Sequence, residues 1–365
     1  MQLLNTQSPS KPLTLLDTFK DICQKVELTS NFAVLHPEYK PFELPEEIVK
    51  RISNLPEEMQ QNYWSLQLRG FLYGIYYSGS LRETLALDTE NENIPLDLEN
   101  NTFLGVDLEF YEKISDSNHG KGYYDSGWII TKEENEHSLI VSKGELKLYI
   151  EREEHLQSAQ KASKVGDYVS ILMPKNIVQN GFYMAISDAG SHSQGTPGIP
   201  PEIVRVYWNL IPDGVINVME TITTELNSLS LPFTFKVLYN PGDYTRFDSG
   251  VLYFDKCNYQ TFQPVLEKIY TQNQSYFKPE IPLFTKKLAP GLGLAEEPNI
   301  KFTEVESFGM NRCQIIANGL LAAKAQGKNS PEEKLACIFE QFSSLNLNWE
   351  RAYLNANSED VYHYT

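Results

Sequence analysis

Between residues 203 and 255 the hydrophobic pattern predicts the order strand, helix, strand, strand. In the first strand every second residue is apolar, which places one set of side chains on a single face: Val204, Val206, Trp208 and Leu210. The alternate positions carry polar or charged side chains: Arg205, Tyr207 and Asn209. A strand with this pattern buries one face and leaves the other face for solvent or for a ligand.

The segment that follows predicts a helix and then a second strand with the same division of faces. Apolar residues recur at helical spacing from Val215 to Leu229, and Asp213 is the predicted N-cap. In the next strand Thr234 and Lys236 lie opposite the phenylalanines that flank them. If the helix is a right-handed crossover between parallel neighbouring strands, the polar side chains share the face that the helix leaves open. That set is Arg205, Tyr207, Asn209 and Lys236.

Three interpretations compete for this group of cations and hydroxyls. It is the soluble side of an ordinary half-buried strand, a phosphate-binding site, or a surface for nucleic acid. The net charge of −17 disfavours the nucleic-acid surface, because backbone binding needs an extended basic region. A small basic site in an acidic protein fits a compact anion, so we expect a phosphate site and no nucleic-acid partner.

Composition and motifs narrow the class of protein. The chain has 365 residues, of which 41% are hydrophobic, enough for a sizeable core in one large domain or two. No apolar run is long enough to span a membrane and the N-terminus lacks a signal-peptide pattern, so we expect a cytoplasmic protein without a membrane partner. The four cysteines and six histidines form no metal-binding motif, and we expect neither a metal nor another cofactor.

The remaining sequence predicts helices at both ends of the chain and strands between them. Helical spacing covers 15–26 and 56–77, and Ser330 followed by Pro331 predicts the start of a C-terminal helix. Alternating patterns begin near residue 107 and lead to a Gly/Ser/Pro-rich loop at 187–202. We therefore predict an α+β fold with a mixed β-sheet and helices on one face. Residues 1–105 form an N-terminal helical region and residues 106–365 form the α+β domain.

Three stretches together carry a resemblance to a known family: RVYWNLIPDGVINVMETITTELNSLSLPFTFKVLYNPGDYTRFDSGVLYF, LAPGLGLAEEPN and ESFGMNRCQIIANGL. They resemble the Hop A-type type III effectors and their free-standing relatives, which occur beside a kinase-like protein in class V lanthipeptide and thioamitide gene clusters. The upstream GYYDSGWIITKEE fits the same pattern, and the resemblance covers residues 107–365. More distantly, the strand motifs are similar to the bacterial phosphothreonine lyases.

The resemblance implies a β-elimination that removes phosphate from phosphoserine or phosphothreonine. It places Lys236 as the base, and Arg205 and Arg246 as phosphate ligands. The lyases have a histidine where this chain has Tyr207, so Tyr207 is the expected acid and His192 in the nearby loop is the alternative.

Further expectations come from the residues themselves. Arg205 beside Lys236 would depress the pKa of the amine by repulsion between like charges, as a base requires. We expect Arg312 to supply a further guanidinium for phosphate, and Asn209, on the same strand face as Arg205, to be a further phosphate ligand.

We therefore expect a phosphoserine/phosphothreonine lyase acting on a phosphorylated precursor peptide, in lanthipeptide-like biosynthesis, with a kinase-like partner protein. The alternative is a non-catalytic, effector-like protein that binds phosphopeptide.

Overall fold

The computed structural model describes residues 14–87, 102–103, 105–193 and 200–364, and the predicted loop at 187–202 therefore lies partly outside the described residues. The chain divides into two compact units. The helical unit comprises residues 1–96, 282–286 and 298–360, and the sheet unit comprises 97–281, 287–297 and 361–365. The helical unit thus contains both the N-terminal segment and the C-terminal helices. The predicted division at residue 105 assigns these two parts to different domains.

The helices are α1 (Leu15–Lys25), α2 (Glu46–Ser53), α3 (Glu57–Leu72), α4 (Leu108–Ser117), α5 (Arg152–His155), α6 (Pro212–Asn227), α7 (Tyr259–Asn273), α8 (Phe308–Ala325) and α9 (Pro331–Ser344). The strands are β1 (Glu27–Leu28), β2 (Val34–His36), β3 (Tyr39–Phe42), β4 (Thr102–Phe103), β5 (Val106–Asp107), β6 (Tyr123–Glu133), β7 (Ser138–Lys143), β8 (Leu146–Glu151), β9 (Tyr168–Met173), β10 (Asn176–Gln179), β11 (Phe182–Ile186), β12 (Ile203–Trp208), β13 (Phe233–Leu238), β14 (Gly250–Asp255), β15 (Lys286–Ala289) and β16 (Leu292–Glu296). The α+β class is confirmed.

Local sequence signals account for the helical unit. At α9 the capping box is complete, because the Ser330 hydroxyl accepts from the backbone N–H of Glu333 and the Glu333 carboxylate accepts from the N–H of Ser330. The helix predicted at 56–77 is present as α3, and a π-helix at Tyr73–Tyr77 continues it. The prediction for the start of the C-terminal helix is confirmed.

The sheet unit is built on a seven-stranded sheet in the order β10-β11-β13-β14-β12-β16-β15. The pairs from β10 to β16 are antiparallel. The expectation that β12 and β13 are neighbours is wrong, because β14 lies between them and pairs with both. The two strands still run parallel to each other, since each is antiparallel to β14. The alternation of polar and apolar residues predicts which face each side chain lies on, but it does not predict the order of the strands in the sheet.

The apolar face of this sheet is as predicted. The alternating residues of β12, together with those of β13, are fully or almost fully buried: Val204, Val206, Trp208, Leu210, Phe233, Phe235 and Val237. The ring of Phe254 in β14 stacks on Phe262 of α7 with centroids 4.3 Å apart, so α7 covers this face. Helix α6 buries the predicted stripe, but it begins at Pro212 with Ile211 at the N-cap, and the assignment of Asp213 as the cap is wrong.

A smaller antiparallel sheet, β8-β7-β6-β9, has a hydrophobic core of its own. Trp128, Leu139, Ile150 and Ile171 belong to that core. The turn between β7 and β8 falls where the sequence predicts it, and Gly144 there has a φ of 59°. The strand pattern from residue 122 to 187 is confirmed, but the predicted start near residue 107 is wrong, because residues 108–117 form α4, which Asp107 caps by accepting from the backbone N–H of Phe110.

Helices α8 and α9 approach so closely that Gly319 has no room for a side chain. A Cβ there would lie 2.6 Å from the Cα of Ile338. Because the obstacle is backbone, we expect Gly319→Ala to lower the free energy of unfolding by about 1 to 3 kcal/mol. Gly70→Ala is the matched control, since its Cβ would meet only the Phe42 ring at 3.7 Å, and helix propensity favours alanine by up to about 1 kcal/mol. Urea unfolding of both variants checks this, and equal stability would contradict the close approach.

Candidate active site

The polar face of the seven-stranded sheet brings residues of β12, β13 and β14 together. Arg205 in β12 lies directly across from Tyr253 in β14, and Tyr253 lies across from Thr234 in β13. In the adjacent row, Lys236 pairs with Val251, which in turn pairs with Tyr207. These rows are set by register, so the insertion of β14 spaces Arg205 from Lys236 while leaving both on one face.

Lys236 is half-buried on this face, and its Nζ lies 3.8 Å from the centroid of the Phe182 ring. Among the described residues, no carboxylate lies within ion-pair distance of this amine. The pKa of Lys236 is lowered from 10.5 to about 8, chiefly by burial and next by the positive charge of Arg205, with Arg246 adding to it and Asp248 opposing it. At this pKa about a tenth of the amine is uncharged at pH 7, far more than for an ordinary lysine.

Arg205 is held in place by a carboxylate and an aromatic ring. Its Nε and Nη2 both donate to Oε2 of Glu297. Its Cζ lies 5.1 Å from the centroid of the Tyr253 ring, and the side chain is 12% exposed. An ion pair and a cation–π contact together fix a guanidinium that remains at the edge of the solvent.

Arg246 follows β13 in the loop that leads to β14. Its Nε and Nη2 donate to the two oxygens of Asp248 at 2.7 and 2.9 Å, the bidentate arrangement that orients a guanidinium most strictly. Its Cζ lies 5.7 Å from the centroid of the Phe182 ring, which Lys236 also contacts. Lys236 and Arg246 therefore both lie close to the Phe182 ring. We call Arg205, Lys236 and Arg246 the cationic cluster.

His192, the alternative acid in the loop before β12, lies at this site. Its Nδ1 lies 2.8 Å from Oγ1 of Thr234, and its ring stacks on Tyr253 with centroids 5.0 Å apart. Burial, and then the charge of Arg205, lowers the pKa of His192 from 6.5 to about 4. The imidazole is thus neutral at pH 7. In the sequence, only the position of its loop just before β12 indicated that His192 could lie at the site. Its packing against Tyr253 is a tertiary contact, which a local pattern does not predict.

Tyr207, Asn209 and Arg312 are in different surroundings from the cluster. Tyr207 is 2% exposed and its hydroxyl is buried. Asn209 is fully buried, and its amide donates to the backbone carbonyl of Glu280 at 3.0 Å. Their roles as acid and phosphate ligand stay predictions, and for both of them the side chain would have to become accessible.

Arg312 lies in helix α8 of the helical unit and is 1% exposed. Its Nε donates to the carbonyl of Ala352 at 2.7 Å, and its Nη2 donates to the carbonyl of Leu354 at 3.1 Å. A third nitrogen, Nη1, donates to Oδ1 of Asn311. This guanidinium ties the 352–354 backbone to α8, and its role as a phosphate ligand stays a prediction.

The arrangement has the chemistry of an anion site that also holds a base. Two oriented guanidiniums suit the oxygens of a phosphate, and an amine with a depressed pKa accepts a proton near neutral pH. Within the part of the chain that the structure describes, no three His, Cys, Asp or Glu side chains converge as metal ligands. No described helix has the length and apolar character needed to cross a bilayer.

The low pKa of Lys236 has a consequence for stability. Between pH 8 and 10.5 the unfolded chain keeps a proton that the folded chain has released, so stability rises with pH through this window. Below that window the folded state carries the cost of a buried charge. We expect Lys236→Met to raise the free energy of unfolding at pH 7 by on the order of 2 kcal/mol, and this advantage should shrink toward pH 10.

Urea unfolding of Lys236→Met at several pH values measures this advantage. The exposed Lys268, paired with Glu225, supplies the control, and Lys268→Met should not show the same pH dependence. A Lys236→Met variant that is less stable than the unmodified chain at pH 7 would refute the assignment of a depressed pKa.

Residues 173–354 match the model of the HopA1 effector protein family. The effector protein from Pseudomonas syringae pv. tomato strain DC3000 is structurally similar over 81% of this chain and 96% of its own, with 14% identity and a TM-score of 0.43. The effector from Pseudomonas syringae pv. syringae strain 61 is similar over 68% and 81%, with 15% identity and a TM-score of 0.40.

No curated protein matches the chain. The matched segment contains the whole cationic cluster together with His192. Through residues 173–354, this chain belongs to the HopA1 effector protein family.

Proposed function

We propose that this chain is a lyase that removes phosphate from phosphoserine or phosphothreonine in a precursor peptide and leaves dehydroalanine or dehydrobutyrine. The observation that carries the proposal is Lys236, an amine with a pKa of about 8 beside two arginines and without a carboxylate partner among the described residues. A lysine that only contributed solubility would be solvated and would keep its ordinary pKa.

The reaction assigns one task to each part of the cluster. The uncharged Nζ of Lys236 takes the proton from Cα, the electron pair forms the Cα–Cβ double bond, and the Cβ–O bond breaks to release phosphate. Arg205 and Arg246 bind the phosphate oxygens and stabilise the charge that grows on them as the bond breaks. Their carboxylates, Glu297 and Asp248, hold both guanidiniums in position before the substrate arrives.

A proton for the bridging oxygen has two candidate donors. Tyr207 stands where the related lyases have histidine, but its hydroxyl is buried. The His192 ring lies on Tyr253, directly across the strands from Arg205, and is the better placed of the two. Alone it is neutral, and a bound phosphate dianion would raise its pKa and allow it to carry the proton. We assign the acid to His192.

The substrate class follows from the same chemistry. A lyase of this kind consumes a phosphorylated side chain, so a kinase-like partner has to supply it. The peptide is the partner that the site binds directly, and the phosphate is the group that the arginines distinguish. A second candidate function, phosphopeptide binding without turnover, uses the same arginines but has no need for an amine whose pKa is near neutrality.

Replacing the base separates these two functions. We expect Lys236→Met to abolish elimination from a phosphorylated peptide, because the variant lacks the amine that is proposed to take the Cα proton. Mass spectrometry follows the loss of phosphoric acid, and calorimetry measures binding of phosphorylated and unphosphorylated peptide. Lys268→Met is the control and should keep full turnover. A folded Lys236→Met variant with near-normal turnover would refute the proposal, and an unmodified chain that binds but never eliminates would establish the binding function instead.

The acid is tested by a pair of variants. If His192 protonates the leaving oxygen, His192→Ala should lower kcat by roughly 10²- to 10⁴-fold with little change in affinity for the phosphopeptide. Tyr207→Phe keeps the buried ring and should leave kcat nearly unchanged. The pH profile of kcat adds a second readout. A required acid makes kcat fall as the pH rises through its pKa, and this fall should disappear with His192→Ala. The opposite pattern, a slow Tyr207→Phe and a normal His192→Ala, would return the acid to Tyr207.

A further inference from the structure

A second group of positive side chains lines a pocket of the helical unit. The pocket has a volume of about 300 Å³ and lies where the segment after α1, the end of α8 and the start of α9 meet. Three lysines line it, Lys324, Lys328 and Lys334, together with the apolar residues Val26, Leu28 and Leu320. We call it the lysine pocket. It lies wholly within the helical unit, whereas the cationic cluster belongs to the sheet unit.

Each of the three ammonium groups is anchored by one neutral acceptor. Lys324 Nζ donates to the carbonyl of Leu28 at 3.2 Å and lies 4.3 Å from the centroid of the Trp64 ring. Lys334 Nζ donates to the carbonyl of Cys23 at 3.2 Å. Lys328 Nζ lies 3.7 Å from the sulfur of Cys337. These contacts orient the amines toward one space, and an ammonium has three N–H donors, of which a single acceptor uses one.

None of the three lysines has a carboxylate within ion-pair distance among the described residues. This is unexpected in a chain with 48 acidic and 31 basic residues, where acidic partners are plentiful. Glu27 lines the pocket, but its side chain is exposed to solvent. In the first turn of α9, Glu333 is engaged in the capping box with Ser330. The charge of Glu333 acts on Lys328 from this position, but among the described residues no carboxylate forms an ion pair with any of the three amines.

Convergent like charges repel each other, and a bound anion would convert that repulsion into attraction. A lysine ammonium binds phosphate as a compact point charge. The planar guanidinium of arginine is better suited to two-point hydrogen bonding with a carboxylate. The apolar wall of Val26, Leu28 and Leu320 would contact the uncharged part of a ligand. A volume of about 300 Å³ is at the small end of pockets that hold a small molecule and is too small for a folded partner.

We propose that the lysine pocket binds a small organic molecule through a phosphate group. The three lysines contact the phosphate oxygens, and the apolar wall holds a short carbon skeleton. The site is separate from the proposed elimination and does not depend on it, because it shares no residue with the cationic cluster.

The test removes the first anion site and then measures the second. Inorganic phosphate, inorganic pyrophosphate and citrate are titrated by calorimetry into the full chain carrying Arg205→Gln and Arg246→Gln, because these two arginines are the proposed phosphate ligands of the cationic cluster. We expect pyrophosphate to bind to the lysine pocket, and to bind more tightly than phosphate. Adding Lys328→Gln and Lys334→Gln should weaken pyrophosphate binding by at least about tenfold, since each charged hydrogen bond is worth roughly that factor.

Two matched controls separate charge from structure. Lys50→Gln with Lys287→Gln removes the same charge from two exposed lysines and should leave pyrophosphate binding unchanged. Lys328→Arg with Lys334→Arg keeps the charge and should retain most of the affinity, which shows that a loss in the glutamine variant is not caused by misfolding. Absence of pyrophosphate binding, or equal binding by the glutamine variant, would overturn the proposal. Citrate binding as tight as pyrophosphate would overturn the assignment to phosphate.

Discussion

The burial of positive charge on one sheet face, with repulsion between the cations as the second effect, is the constraint on which the candidate active site depends. Arg205, Lys236 and Arg246 lie on a half-buried surface, where charges interact more strongly than in water. The three side chains differ in the partner that each one has in the sheet unit. Glu297 and Asp248 balance the two arginines, while Lys236 receives an aromatic ring instead of a carboxylate. The unbalanced position is the one whose pKa falls, and a lysine base requires that outcome.

The aromatic rings of this face do more than fill space. Phe182 contacts both Lys236 and Arg246, and Tyr253 contacts both Arg205 and His192. Each ring therefore sets the position of two functional side chains at once, without offering a charge that would raise the pKa of the amine. Replacing either ring by an acidic residue would orient the cations equally well but would favour the protonated lysine. An uncharged ring therefore leaves the pKa of Lys236 low, as the proposed role of a base requires.

The two anion sites that we propose use positive charge in different ways. The active site pairs each guanidinium with its own carboxylate, which fixes geometry at the expense of net charge. The lysine pocket anchors its three amines on carbonyls and a sulfur, so their charge is retained but their direction is less strict. The first arrangement suits a reaction that needs oriented donors. The second suits reversible binding of a compact anion.

The sequence by itself determined which residues share a strand face and which apolar side chains of β12 and β13 are buried. A strand has a period of two, so the pattern around Arg205 and Lys236 predicted the polar and apolar sides of β12 and β13 correctly. Local capping chemistry predicted the start of α9 in the same way. The family resemblance selected Arg205, Lys236 and Arg246 as candidates, and the structure places all three on or beside that polar face.

Only the tertiary structure decided which strands are neighbours and what each side chain contacts. Periodicity carries no information on strand order, so the insertion of β14 between β12 and β13 could not be predicted from it. His192 acquires its place through stacking on Tyr253, and Arg312 is enclosed by carbonyls from residues 40 or more positions away. These are contacts between distant segments. Their formation depends on how whole elements pack, and a local pattern of hydrophobic and polar residues does not specify that packing.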